Sequence, residues 1–187
     1  MSLIYYLPGR GNRLQGEGIG AIVQRLGGQV RGREMQGDFA RLAFAEQLAG
    51  IQADLRHDFW SPQALLLGHS YGAYLLLHSL AELPAFPGRV LLFSPVLGVG
   101  MNRERMFASW PPRARRLLTL AETQSFPIPL GGLRIYSGEK DAGCDPDLAR
   151  RFVAALPGAE LQLVPDAGHR LDESLLVAVL SRAIPTP

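Results

Sequence analysis

The chain has 187 residues, of which 47% are hydrophobic and 19% are charged, and its formal net charge is +2. These values exclude an intrinsically disordered protein and suit one domain, residues 1–187, with a hydrophobic core of its own. The sole cysteine, Cys144, excludes an intrachain disulfide and a metal site built from cysteines.

Targeting and membrane signals are weak in this sequence. The first apolar run, Leu3–Leu7, is too short for the core of a signal peptide. No stretch approaches the roughly 20 apolar residues of a membrane helix. Lys140 is the one lysine, and the small net charge does not favour nucleic-acid binding. We therefore expect a soluble cytoplasmic protein with no membrane or nucleic-acid partner, and the sequence does not indicate its oligomeric state.

The first half of the chain alternates short apolar runs with segments of helical spacing. Asp38 is a suitable N-cap for a long helix, and Pro84 suits the end of another. The predicted elements are strand Leu3–Leu7, helix Arg13–Leu26, weak strand Gln29–Met35, helix Asp38 to about Arg56, strand Ala64–Leu67 and helix Tyr71–Leu83.

The second half continues this alternation after an irregular, lid-like segment at 97–129. Proline in the first turn favours one helix start, and acidic residues favour another. The predicted elements are strand Val90–Phe93, helix Arg113–Glu122, strand Leu133–Tyr136, helix Pro146–Leu156, strand Leu161–Val164 and helix Leu171–Ile184. Six strands separated mostly by helices predict an α/β fold with a mainly parallel sheet covered on both faces.

A serine lies between two glycines where the third strand meets its helix. The residues Gly68-His69-Ser70-Tyr71-Gly72 fit the pattern G-x-S-x-G of a nucleophile elbow. Glycine at both outer positions leaves room for a tight turn that lifts the serine hydroxyl clear of the sheet. Since function gathers at the carboxyl ends of parallel strands, Ser70 is a candidate nucleophile.

Polar residues also follow the last two strands. Asp141 comes after the fifth strand and His169 after the sixth, so the chain order is serine, acid, histidine. His169 would act as base and then as acid, and Asp141 would orient its imidazole. Asp145 and Asp166 are alternative acids, because each lies within four residues of Asp141 or His169. His69 is expected to line the turn.

These segments together resemble the α/β-hydrolase superfamily, through Gly68-His69-Ser70-Tyr71-Gly72, Gly138-Glu139-Lys140-Asp141 and Gly168-His169. The resemblance is to short members that lack the first two strands of the larger fold. It implies acyl-transfer chemistry that needs no cofactor or metal. It also implies an oxyanion hole made by the backbone N–H groups of Tyr71 and Arg10, where many relatives have His-Gly in the loop that contains Arg10.

The segment Pro8-Gly9-Arg10-Gly11 permits a rival interpretation as a dinucleotide-binding loop. Leu14 stands where the third glycine of that motif belongs, and Glu34 is the best available acidic partner. The sequence therefore does not favour a nicotinamide or flavin site.

The lid-like segment contains candidates for substrate binding. Met106, Phe107 and Trp110 could line an apolar acyl pocket or pack the lid against the core. An arginine cluster could bind an anionic group or form a solvated helix face; it consists of Arg103, Arg105, Arg113, Arg115 and Arg116.

The function predicted from these residues is hydrolysis of a carboxylic ester or thioester with a small or medium acyl group. Ser70, His169 and Asp141 would form the catalytic triad. Two alternatives remain open at this point. One is a protein of this fold that binds a small molecule or partner with little catalysis. The other is a triad enzyme with another reaction, such as a perhydrolase or a C–C hydrolase.

Overall fold

A computed structural model describes residues 4–98 and 111–184 of the chain. Its centre is a sheet of six strands in the order β2-β1-β3-β4-β5-β6, and every neighbouring pair is parallel. The strands are β1 (Ile4–Leu7), β2 (Val30–Gly32), β3 (Leu65–His69), β4 (Arg89–Phe93), β5 (Leu133–Gly138) and β6 (Ala159–Val164).

Helices connect the strands, because a parallel pair of strands needs a long crossover connection. Within the described ranges they are α1 (Gly18–Arg25), α2 (Gly37–Arg41), α3 (Phe44–Asp54), α4 (Tyr71–Leu80), α5 (Arg116–Glu122), α6 (Pro146–Ala154) and α7 (Glu173–Ala183). A turn of π-helix, Leu55–Phe59, continues α3.

Alternate residues of each central strand enter two separate cores, because successive side chains of a strand point to opposite faces. Tyr5 and Leu66 belong to a core shared with α3, α4, α5 and α6. Ile4, Leu65 and Leu67 belong to a second core shared with α1 and α7. Both faces of the sheet are therefore covered, which explains why its strands are apolar without polar alternation. The predicted α/β fold, with helices on both faces, is confirmed.

The predicted helix from Asp38 to about Arg56 is wrong as one element. The chain forms α2 and α3, which are separated by Leu42 and Ala43 in extended conformation. The backbone N–H of Ala43 donates to the Glu46 carboxylate at 2.8 Å, so this side chain satisfies a donor at the start of α3. Asp38 lies in the first turn of α2 and pairs with Arg41, and the residue before α2 is Gln36.

Other predicted boundaries differ mainly near the first loop. Helix α1 begins at Gly18 instead of Arg13, and β2 keeps three residues of the predicted Gln29–Met35. Strand β2 is at the edge of the sheet, and the chain leaves it where Arg33 bonds Asp54 at 2.6 and 2.7 Å. The loop after β1 contacts the chain that leaves β2, since Gly11 N–H donates to Met35 O at 2.7 Å.

The lid-like segment predicted at 97–129 is described only in part. Its described end contains α5, which starts three residues later than predicted, at Arg116. Tyr74 Oη donates to the carbonyl of Pro112 at 2.6 Å, which ties this end to α4. Among residues 4–98 and 111–184, none of the helices combines the length and apolar character needed to cross a membrane.

Candidate active site

The site begins at the turn between β3 and α4. Ser70 lies there with φ of 53° and ψ of −120°. Residues other than glycine rarely adopt this backbone conformation. Its backbone is held by neighbouring strands, since Ser70 N–H donates to Phe93 O and Val96 N–H donates to Ser70 O, each at 3.1 Å. Such over-determined strain is typical of functional turns.

The two glycines of the motif are required by close backbone approach. A Cβ on Gly72 would lie 2.2 Å from Pro8 O and 2.3 Å from Leu7 O. A Cβ on Gly68 would lie 2.8 Å from the Cα of Ala73. The end of β1 and the start of α4 can therefore pack against the serine turn only if these positions have no side chain.

Two further loops bring an imidazole and a carboxylate to the serine. His169 Nε2 lies 3.0 Å from Ser70 Oγ, and His169 Nδ1 lies 2.9 Å from Asp141 Oδ1. The three side chains thus form one hydrogen-bonded chain in the order hydroxyl, imidazole, carboxylate. The sequence separations are 99 residues between Ser70 and His169 and 28 residues between His169 and Asp141.

The loops that carry Asp141 and His169 are tied to each other. Lys140 N–H donates to Ala167 O at 2.9 Å, and Glu139 N–H donates to Val164 O at 3.0 Å. Because β5 and β6 are adjacent and parallel, their following loops leave the same edge of the sheet and can share these bonds. This backbone contact sets the distance between the carboxylate and the imidazole.

The structure distinguishes the three candidate acids. Asp145 caps α6, where it accepts from Asp147 N–H at 2.9 Å. Asp166 is exposed and pairs with Lys140 at 2.6 Å. Of these three residues, Asp141 is the one that bonds His169.

Asp141 is buried and held by backbone donors. Its Oδ1 accepts from Gly143 N–H at 2.7 Å and Cys144 N–H at 2.9 Å. Burial alone would raise the pKa of Asp141, but bonds from His169 and these two amides outweigh burial, and the pKa falls below its ordinary value. The carboxylate is therefore ionised at neutral pH and fixed in orientation.

The segments predicted to supply oxyanion donors flank the serine. Tyr71 is the first residue of α4, so its backbone N–H lies at the positive end of the helix dipole. Gly9 precedes Arg10, and a Cβ on Gly9 would lie 3.3 Å from Ser70 Cβ. The Arg10 guanidinium lies over the Tyr71 ring, with 4.5 Å from Cζ to the ring centroid.

The remaining histidines have separate surroundings. The ring centroid of His69 lies 5.6 Å from that of His169, and burial, with the charge of His169 next, lowers the pKa of His69 to about 4. His57 is exposed and bonds Asp58. His78 is fully buried in α4, which the sequence did not indicate, and burial lowers its pKa to about 3.

A cavity of about 230 Å³ lies beside these residues. Asn12 and Arg13 line it from the loop after β1, and Arg170 and Leu171 line it from the loop that carries His169. Sequence reasoning missed these side chains, because no motif marks them and only folding brings the two loops together.

Several predicted binding residues lie outside the described residues: Met106, Phe107, Trp110, Arg103 and Arg105. Of the described arginines in the same cluster, Arg113 and Arg116 both contact the Glu82 carboxylate at 2.5 Å. Bonding to Arg116 is the main reason that the pKa of Glu82 falls to about 2. These two guanidinium groups are therefore already paired within the protein.

In residues 4–98 and 111–184, no group of three or more His, Cys, Asp or Glu side chains could hold a metal ion.

Comparison with known proteins supports the fold. No family profile matches the chain, and no curated protein matches it in sequence. A monoacylglycerol lipase from Paleococcus ferrophilus aligns over 97% of this chain and 95% of its own, with 14% identity and a TM-score of 0.66. Est1E from Butyrivibrio proteoclasticus aligns over 97% of this chain and 84% of its own, with 15% identity and a TM-score of 0.67.

A third solved structure gives the same result. An esterase from Rhodococcus sp. ECU1013 aligns over 97% of this chain and 89% of its own, with 14% identity and a TM-score of 0.62. Each of these three alignments thus covers nearly the whole of this chain. The chain has the α/β-hydrolase fold.

Proposed function

We propose that the protein is a serine hydrolase that cleaves a carboxylic ester or thioester through an acyl-enzyme. The observation that carries this proposal is the hydrogen-bonded order of Ser70, His169 and Asp141, with 3.0 Å between Ser70 Oγ and His169 Nε2. The strained backbone of Ser70 supports it further, because the serine of a nucleophile elbow has the same kind of strain. The esterases and the lipase of the same fold are consistent with this reaction class.

In the first step Ser70 Oγ attacks the carbonyl carbon, and its proton passes to His169 Nε2. Asp141 accepts a hydrogen bond from Nδ1–H, so the other nitrogen presents its lone pair to the hydroxyl. The same carboxylate stabilises the imidazolium that forms. The backbone N–H groups of Tyr71 and Arg10 donate to the carbonyl oxygen as it gains negative charge.

The imidazolium then returns the proton to the leaving oxygen or sulfur while the C–O or C–S bond breaks. The alcohol or thiol departs, and the acyl group remains on Ser70. His169 next takes a proton from a water molecule, whose oxygen attacks the acyl carbon. The proton returns to Ser70 Oγ when the carboxylic acid leaves, so each cycle consumes one ester and one water.

A fluorophosphonate probe tests whether Ser70 is activated. We expect the wild-type protein to form a covalent adduct of one probe per chain, detected by intact mass, and Ser70→Ala to form none. Ser79→Ala is a matched control, because Ser79 is a buried serine of α4 whose Oγ has no hydrogen-bond partner among the described residues. If the folded wild-type protein stays unlabelled, the proposed hydrolase activity is contradicted and a binding role is favoured.

His169→Ala tests the base. Hydrolysis of 4-nitrophenyl acetate should fall by several orders of magnitude, because the general base is lost. The free energy of unfolding should change by no more than about 1–2 kcal/mol, since the imidazole is partly exposed. Unchanged turnover in the folded variant would eliminate His169 as the base. Product analysis with ester panels and with peroxide would separate hydrolysis from perhydrolysis.

A further inference from the structure

The cavity of about 230 Å³ is lined by residues next in the chain to Ser70 and His169. Arg170 and Leu171, which directly follow His169, form part of its wall. His69, which directly precedes Ser70, forms another part, and its ring lies 5.6 Å from that of His169. The cavity wall therefore contains the residue before Ser70 and the two residues after His169, while Ser70, His169 and Asp141 themselves do not line it.

Asn12 lies near the serine turn as well as in the cavity wall. A Cβ on Gly9 would lie 3.3 Å from Asn12 Nδ2 and 3.3 Å from Ser70 Cβ. Asn12 also lines the cavity. The Asn12 side chain is therefore close to both the cavity and the residue that carries the hydroxyl.

The walls of the cavity combine an apolar floor with a cationic rim. The floor contains Tyr6, Phe93 and Leu176, all of which are buried. The rim contains Arg13 and Arg170, which are exposed and form no ion pair with any described residue.

The charge balance at the rim is positive. Glu17 is the one carboxylate among the lining residues, and it faces two arginines. His69 adds no charge at neutral pH, because burial lowers its pKa to about 4. Arginine donates paired hydrogen bonds that match a carboxylate or phosphate. The cavity thus favours a ligand whose apolar part contacts the floor and whose anionic group contacts the arginines of the rim.

Leaving-group chemistry decides which part of the substrate occupies this cavity. His169 must deliver its proton to the leaving oxygen or sulfur, so the leaving group lies on the histidine side of Ser70. The cavity is lined by Arg170 and Leu171, which follow His169, and by His69, whose ring lies 5.6 Å from that of His169. Its volume is below the roughly 300–1,000 Å³ of sites for drug-sized ligands, so it suits a small group.

We propose that this cavity binds the alcohol or thiol portion of the substrate and that Arg13 and Arg170 select a leaving group with an anionic substituent. This proposal rests on the function proposed above. Asn12 would contact the same portion of the substrate near the scissile bond. The substrate class is therefore an ester or thioester of a small alcohol or thiol that carries a carboxylate or phosphate.

Paired esters of identical acyl chain provide the test. The probes are 4-butanoyloxybenzoate, with an anionic leaving group, and 4-butanoyloxybenzamide, which is its neutral counterpart. The measured quantity is the ratio of their kcat/KM values after division by their hydroxide-catalysed rates. We expect the ratio to favour the benzoate about tenfold, an energy of about 1.4 kcal/mol, and to fall as salt screens the exposed arginines.

Arginine variants assign the preference to the cavity. Arg13→Gln combined with Arg170→Gln should bring the ratio close to one, and each single variant should lower it in part. Arg182→Gln is the matched control, because Arg182 is an exposed arginine near the far end of α7, roughly 15 Å along that helix from its start. The control should keep the wild-type ratio. Circular dichroism would show that each variant is folded, and the single variants serve if the double variant does not fold.

Three results would overturn the proposal. One is a kcat/KM ratio near one for the wild-type protein, although the benzamide is hydrolysed and fluorophosphonate labels Ser70. This result would refute the anion preference and leave the hydrolase function intact. Another is a preference for phenyl hydrogen succinate, whose acyl group is anionic, over phenyl butanoate that is as large as the preference for the benzoate. The bound anion would then lie on the acyl side of the ester. The third is absence of both labelling and hydrolysis, which would refute the hydrolase function itself.

Discussion

The replacement of Asp141 by asparagine separates the role of this carboxylate from that of its neighbours. In the structure Asp141 Oδ1 accepts from two backbone amides, and both of its oxygens lie within 3.1 Å of His169 Nδ1. An asparagine oxygen can keep the two amide bonds, which turns its NH2 group towards Nδ1. The imidazole must then accept at Nδ1 and carry its proton on Nε2, facing Ser70.

This tautomer cannot take the proton of Ser70, so we expect Asp141→Asn to lower kcat by about 10⁴-fold. That loss corresponds to about 5.5 kcal/mol of transition-state stabilisation. Stability should also change with pH. Because the pKa of Asp141 is lowered on folding, the carboxylate stabilises the protein above its unfolded pKa and loses this effect as pH falls through the folded pKa. The asparagine variant lacks this contribution.

The assay compares 4-nitrophenyl acetate turnover and urea unfolding for three variants. Asp145→Asn is a matched control, because asparagine is as good an N-cap as aspartate and should preserve α6. Asp166→Asn is a second control at an exposed position with φ of 60°, which asparagine tolerates. Both controls should keep kcat within about twofold. A larger loss in Asp145→Asn than in Asp141→Asn would refute the assignment of the orienting acid.

Three further predictions concern the folding of the site and the core. Gly72→Ala should destabilise the protein by about 3 kcal/mol or more in urea unfolding, because its Cβ would lie 2.2 and 2.3 Å from two backbone carbonyl oxygens. Gly50→Ala in α3, where the new Cβ meets its first neighbour at 3.7 Å, should instead stabilise the protein by about 1 kcal/mol. Equal effects of the two changes would contradict the close packing around Gly72. His78→Phe should raise the free energy of unfolding at pH 7 by about 1–3 kcal/mol, because neither ring nitrogen of this buried residue has a hydrogen-bond partner in the described part of the chain. Since burial lowers the pKa of His78 to about 3, the free energy of unfolding of the wild-type protein should fall as pH drops from about 6.5 towards 3. The variant should lose less stability over this range. Parallel curves of unfolding free energy against pH would count against the prediction. Burial raises the pKa of Cys144 to about 12, so iodoacetamide at pH 8 should modify it only after unfolding, and rapid alkylation of the folded protein would disprove its burial.

The strand and helix order could be predicted from the sequence because it depends on local chemistry. Apolar runs such as Leu65–Leu67 can only be buried, and glycine and proline mark where such runs end. The split between α2 and α3 could not be predicted in this way. It depends on a bond from the Ala43 backbone to the Glu46 side chain, which competes with a helical pattern that continues through both segments.

The serine turn was also readable from the sequence, because the motif expresses a steric requirement. Glycine at positions 68 and 72 is needed where β1 and α4 approach the turn. The sequence favoured Asp141 as the acid but left Asp145 and Asp166 as alternatives, because the three differ in loop contacts that only the fold shows. The catalytic roles of Ser70, His169 and Asp141 stay a prediction until the variants are measured.

By itself, the sequence determined the element order, the burial of the strands and the position of the strained serine, because each follows from side-chain size and polarity along a few neighbouring residues. Tertiary structure alone decided that Asp141, and neither Asp145 nor Asp166, bonds His169, and that Arg13 and Arg170 share a cavity. The physical reason is that these distances depend on parallel pairing of β5 with β6 and on the loop after β1 packing against Ser70. Contacts between residues so far apart in the chain leave no local pattern to read.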